Sequence, residues 1–136
     1  MGRKDHIKTI MLKTAAILLA ASGSVAAMDV STYFAVDLKS MEISIEGSKK
    51  VLACLQSGCP LQEQYALDDE IQQNLRELFE SVKSTPSQHA LFYMKHQKEI
   101  QARYDANETL RQRYDSLKKE LESINSAIKS AREEQQ

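Results

Sequence analysis

Residues 34–55 read FAVDLKSMEISIEGSKKVLACL, and the spacing of their apolar positions decides the fold. Phe34, Leu38, Met41, Ile45, Ser48, Leu52 and Leu55 recur in alternating steps of four and three, which sets them on one stripe of an α-helix. Inside the same stretch Met41, Ile43 and Ile45 alternate with polar residues, the pattern of a half-buried strand. A strand needs a partner strand, and no second candidate occurs in the chain, so a helix is expected here.

Downstream the helical period continues. Pro60 opens a second helix expected to reach about Ser84, with Leu67, Ile71, Leu75, Leu78 and Val82 on its apolar face and Phe79 widening it. Thr85, Pro86 and Gln88 form a start signal: a hydroxyl at the cap, proline at the first helical position and an amide three residues after the cap. The third helix that begins there ends in a strongly periodic run, Leu110, Tyr114, Leu117, Leu121, Ile124, Ile128 and Ala131, spaced like a coiled-coil seam. Upstream of Asn107 the same phase carries Tyr93, His96, Ile100 and Arg103, a more polar set. Two arrangements fit this change: Asn107 caps a separate fourth helix in a compact bundle, or one helix shifts phase and runs on as a rod of roughly 70 Å. The expected fold is all-α, a small bundle of three or four antiparallel helices with a long, coiled-coil-like C-terminal helix.

Cys54 and Cys59 are the only cysteines of the chain. In an unbroken helix, residues five apart lie roughly 9 Å apart at Cα, beyond disulfide reach. Gly58 and Pro60 supply a break between them, a residue suited to a left-handed cap followed by one that cannot continue the helix. A disulfide closing so short a loop should stabilise the fold by roughly 2 kcal/mol in the chain-entropy model. Four intervening residues do not match the two of a thioredoxin-type redox pair.

The N-terminus says where that disulfide would form. Arg3, Lys4, Lys8 and Lys13 precede an apolar core, Thr14 to Ala21, and small residues lead to Val25-Ala26-Ala27. This is the organisation of a secretory signal peptide, and its apolar core is far shorter than the roughly 20 residues that span a bilayer. Residues 1–27 are therefore expected to be removed on export, leaving residues 28–136 as one helical domain, periplasmic or secreted, with no stable membrane anchor. The first 27 residues hold four of the 18 basic and one of the 19 acidic groups, so the remainder has 14 basic against 18 acidic. With no basic surplus to displace counterions from phosphates, nucleic acid is excluded as the expected partner.

No serine-nucleophile motif, phosphate loop or zinc signature occurs, so neither enzymatic activity, cofactor nor metal is expected. His89 and His96 sit two helical turns apart, about 10 Å, too far to share one ion without another helix, and read as partly exposed polar residues. Asp68, Asp69 and Glu70 form the densest acidic cluster; consecutive helical residues fan out, so they do not make an acid–base pair and read as a solvated face, with an electrostatic patch for a basic partner as the sharper alternative. Tyr65, Tyr93, Tyr104 and Tyr114 fall at helical intervals among apolar neighbours and are expected to pack, wholly or half buried. Phe92, Tyr93 and Met94 spread further around the third helix than one buried stripe requires, which marks Phe92 and Tyr93 as candidate partner-binding residues.

The run Cys59-Pro-Leu-Gln-Glu-Gln-Tyr-Ala-Leu67-Asp68-Asp-Glu-Ile71 resembles the opening of the LprI-type lysozyme-inhibitor domain, where a cysteine is followed at similar spacing by Leu-Asp and another aliphatic residue. Gln97-Lys98 with Arg103 looks like that family's Gln-Arg, aromatic, Arg helix, and Leu110-Arg111 with Tyr114 like its final Leu and Tyr positions. The resemblance spans residues 54 to about 121. The chain departs from it in having Ala106 and Thr109 where members commonly carry a second cysteine pair, and Ile100 or a neighbour in place of the aromatic residue. It implies an exported helical domain, with lysozyme inhibition in some members. Combined with the acidic balance, it leads to the expectation of a non-enzymatic binding protein acting on a protein partner such as a basic cell-wall hydrolase. The alternative is an envelope chaperone or assembly adaptor that grips another helix, or a second copy of itself, through the Leu110 to Ala131 seam.

Overall fold

The computed structural model describes residues 28–135, so the expected signal peptide lies outside the described residues. Five helices occur among them: α1 (Val30–Gln56), α2 (Leu61–Ser81), α3 (Pro86–Lys95), α4 (Gln97–Ala106) and α5 (Glu108–Glu134). The all-α expectation holds, and the residues around Met41 to Ile45 are helical rather than a strand. α1 starts four residues before Phe34, where Asp29 caps it by accepting the Thr32 N–H at 2.8 Å.

The turns follow from local chemistry. Gly58 takes the left-handed conformation (φ 71°), and the Cys59 N–H donates to the Cys54 carbonyl at 3.0 Å, which ends α1. That turn brings the Cys54 and Cys59 Cα atoms to 5.1 Å, and the disulfide forms. α2 stops by the same device, with the Ser84 N–H donating to the Phe79 carbonyl at 2.9 Å, but the left-handed position is held by Lys83 (φ 55°) rather than glycine. Thr85 Oγ1 accepts the Gln88 N–H at 3.1 Å and starts α3. Asn107 does cap a separate helix: its side-chain oxygen accepts the Leu110 N–H at 2.9 Å. The Arg111 guanidinium reaches back to the carbonyls of Tyr104 and Asp105, satisfying acceptors that the end of α4 leaves open. A further break at His96, with no proline or glycine to signal it, separates α3 from α4.

α1 is the centre of the molecule. α2 packs antiparallel to it on one side and α5 packs on the other. The α1–α5 contact is parallel, because α3 and α4 carry the chain across one end of the bundle before α5 descends. The pairs Asp37 with Tyr114, Lys49 with Glu120, and Leu55 with Gln135 follow one another down both helices in the same order. Two buried faces explain the strand-like alternation: Ile45 joins Leu117, Ile124 and Ile128 of α5, whereas Ile43 packs with Leu78, Phe79 and Val82 at the end of α2. A third cluster closes the far end, where Val30, Tyr33 and Phe34 meet Ile100 of α4 with Phe92, Tyr104, Leu110 and Tyr114 around them. The kink at His96 keeps both Phe92 and Ile100 against this end of α1. No helix among the described residues is long and apolar enough to cross a membrane.

Gly47, in the interior of α1, is where α2 comes closest: a Cβ there would overlap the Ile71 side chain. Glycine inside a helix ordinarily costs about 1 kcal/mol relative to alanine, so Gly47→Ala would normally stabilise. Here overpacking, worth about 1–3 kcal/mol, outweighs that gain. Gly47→Ala is expected to lower the stability measured by urea unfolding, and the same substitution in an Ile71→Ala background to raise it; stabilisation in both backgrounds would disprove the close contact.

Candidate functional site

The surface is where this protein offers a site. Among the described residues the exposed large apolar side chains are Leu61, Tyr65, Leu91, Tyr93 and Met94, each between 41% and 68% accessible. Leu61 and Tyr65 lie one turn apart at the start of α2, with Asp68 and Asp69 a turn further on. This helix carries six carboxylates, Glu63, Asp68, Asp69, Glu70, Glu77 and Glu80, against one cation, Arg76. α5 by contrast balances six of each sign. The acidic excess of the folded region is thus gathered on α2, beside two exposed apolar side chains.

The expected acidic cluster divides. Asp68 and Asp69 are exposed, whereas Glu70 is half-buried and accepts from Lys50 Nζ of α1 at 2.7 Å. Tyr65 was expected to pack and is instead exposed, as is Tyr93; Tyr104 and Tyr114 are half-buried. The reason lies in helix phase: the inward side of α2 is taken by Gln64, Leu67, Ile71 and Leu78, which turns Tyr65 outward.

α3 has no buried residue. Of the residues singled out there, Phe92 turns inward, stacked on His96 with ring centroids 4.2 Å apart, so Tyr93 stays at the surface without it. Leu91 and Met94, one turn apart, form the outward apolar face. What holds α3 down is His89, which is largely buried rather than partly in solvent as its spacing from His96 suggests. Its side chain is 12% exposed, and its ring stacks on Tyr33 at 4.3 Å with Phe79 edge-on at 5.6 Å. His89 Nε2 lies 3.1 Å from Asp37 Oδ1, and the Tyr114 hydroxyl donates to Asp37 Oδ2 at 2.8 Å. A carboxylate only accepts, so Nε2 carries the hydrogen, while Nδ1 is buried with no hydrogen-bond partner. One carboxylate on α1 thereby ties α3 and α5 together. The signal for it was Asp37 itself, a charge among Phe34, Val36, Leu38 and Met41, which must find donors if that face is buried.

The C-terminal seam is used inside the chain. Leu117, Ile124 and Ile128 are buried against α1 with Leu121 half-buried beside them, and Leu110 and Tyr114 join the cluster at the other end. An open cleft of about 360 Å³ is lined by Asp37, Ser40, Met41 and Ser44 of α1 with Gln72, Leu75, Arg76 and Phe79 of α2. The Ser40 hydroxyl there donates to the Val36 carbonyl at 2.8 Å. Cys54, Cys59 and Glu63 bring ligand-type atoms within 4.8 Å of one another, but sulfurs joined in a disulfide have no thiolate to give a metal.

Burial and the nearby Asp37 charge push the Tyr33 hydroxyl up to about 12, and burial with Asp37 raises Tyr114 further. Both phenols keep their protons in the folded state at pH values where unfolded tyrosine, with its pKa near 10, has lost them. The folded state then binds more protons, so stability must fall as pH rises above 10. Denaturant midpoints are expected to drop between pH 10 and 12, and Tyr114→Phe to make that drop shallower while costing about 1–2 kcal/mol at pH 7. An alkaline limb unchanged by Tyr114→Phe would remove the Asp37–Tyr114 bond from the account.

No family model matches the chain, and no curated protein or solved structure matches it either.

Proposed function

We propose that the chain is an exported, non-enzymatic binding protein that seats a basic protein on the outward face of α2, a cell-wall hydrolase of the lysozyme kind being the partner we favour. The observation that carries this reading is the concentration of charge: six carboxylates against one cation on α2, with Leu61 and Tyr65 exposed among them. Acidic groups around an exposed tyrosine form an amphipathic anchor suited to a basic surface, the charges steering encounter and the ring supplying contact area. The signal-like N-terminus, the surplus of acid after it and the resemblance of residues 54 to about 121 to the LprI-type domain point the same way.

The alternative, an envelope chaperone or adaptor that grips clients through the C-terminal seam, has less support. Leu117, Ile124 and Ile128 are already buried against α1, so seizing a client would require α5 to leave it.

The test is titration of the disulfide-bonded chain with lysozyme, read by calorimetry and by inhibition of wall hydrolysis at low and high salt. Tyr65→Ala is expected to weaken the complex by at least about tenfold. Asp68→Asn with Asp69→Asn should flatten the salt dependence. Absence of saturable binding to lysozyme and to other basic wall hydrolases would refute the proposal.

A further inference from the structure

Four of the exposed apolar side chains make two patches, and the fold puts them at opposite ends of the bundle. Leu61 and Tyr65 stand at the start of α2, beside the Cys54–Cys59 disulfide. Leu91 and Met94 stand on α3, just past the other end of α2, while Tyr93 lies on another side of that helix with its ring 6.1 Å from that of Tyr33. A helix of 21 residues separates them by about 30 Å. Their charges are opposite. The first patch has Asp68 and Asp69 one turn beyond Tyr65 on the same side of α2, both exposed. α3 contains no carboxylate, ends in Lys95, and is flanked in the chain by Lys83 and Lys98. Of the acids nearest in sequence, Glu80 is exposed at the end of α2 beside α3 and Glu99 lies 3.7 Å from His96, so Lys83, Lys95 and Lys98 leave this end a small cationic excess over those two.

We propose that these two ends bind each other, the α3 face of one copy resting on the α2 face of the next, so that the chain self-associates head to tail. The charges select this pairing. A two-fold contact of the α2 face with itself would set carboxylate against carboxylate, and one of α3 with itself would set lysine against lysine, both unfavourable at close range. Only the unlike pairing buries both apolar patches while opposing unlike charges. A contact between two different faces leaves one of each free on every dimer, so association continues beyond two copies unless a ring closes. The proposal does not rest on binding of a hydrolase. The two events would compete, because both use the α2 face.

The polypeptide beginning at Met28 keeps all three apolar clusters and the disulfide, so it serves for the test. Sedimentation velocity from about 10 μM to about 1 mM, the range where small interfaces associate, should show mass rising with concentration, and about tenfold weaker association in high salt. Two variants divide the faces: Leu91→Asp with Met94→Asp removes one, and Leu61→Asp with Tyr65→Asp the other. All four positions are exposed, so circular dichroism should show both variants folded. Each alone should be monomeric, and their mixture should form a one-to-one dimer that grows no further. A wild type that stays monomeric throughout, a mixture that stays monomeric, or either variant dimerising alone would overturn the proposal. Retention of lysozyme binding by the Leu91/Met94 variant tests the hydrolase reading separately.

Discussion

α1 has to be buried along two of its faces at once, and every other element is placed by that requirement. A helix with one apolar stripe is satisfied by a single neighbour, but Val36, Ile43 and Cys54 lie on a different side of α1 from Phe34, Leu38, Ile45 and Leu52. Two long helices are therefore needed, and each must cover most of its length. α2 reaches one side through a turn of a few residues held by the disulfide. α5 can reach the other only after the chain has crossed the end of the bundle, which is the work of α3 and α4. The approach of α2 depends in turn on the missing side chain at Gly47.

The crossing segment is secured differently from the rest. Where α5 buries aliphatic side chains, α3 buries none completely and is held by an aromatic stack and by one carboxylate shared between His89 and Tyr114. A hydrogen bond to an ionised acceptor in a partly dry site is stronger than an exposed one, and its geometry is directional. Such an attachment fixes the orientation of a short helix without consuming its apolar residues. Leu91 and Met94 are left for solvent or for a partner.

Charge is divided as unevenly as apolar surface. α1 and α5 carry balanced charges, several of them joined across the helices, as Lys49 is to Glu120 and Glu42 to Arg113. Exposed pairs of this kind contribute at most about 1 kcal/mol each, and they serve register more than stability. α2 is left with the surplus of carboxylates, next to Leu61 and Tyr65. Asp68 and Asp69 beside Leu61 and Tyr65, against a helix free of carboxylates under Leu91 and Met94, make the two apolar faces unlike, which favours partners that differ from the face they meet.

Much of the architecture is local in origin and was legible in the residues. Gly58 between the cysteines and Pro60 directly after them required a turn, Thr85 before Pro86 required a helix start, and the four-three rhythm from Leu110 to Ala131 required a buried stripe, because each depends on backbone chemistry or spacing within a few residues. The helix break at Asn107 was legible only as one of two options: an asparagine cap competes with continued helix, and the choice turns on where the flanking helices pack. The break at His96, the burial of His89, the exposure of Tyr65 and the parallel course of α1 and α5 were not legible. Each depends on groups far apart in the chain, such as Asp37 with His89 and Tyr114, which approach only when α3 and α5 are folded onto α1. The sequence by itself determined the helices and most of their ends, since those are set by short-range hydrogen bonding and period. The tertiary structure alone decided which apolar and charged residues remain at the surface, since that depends on which faces the helices spend on one another.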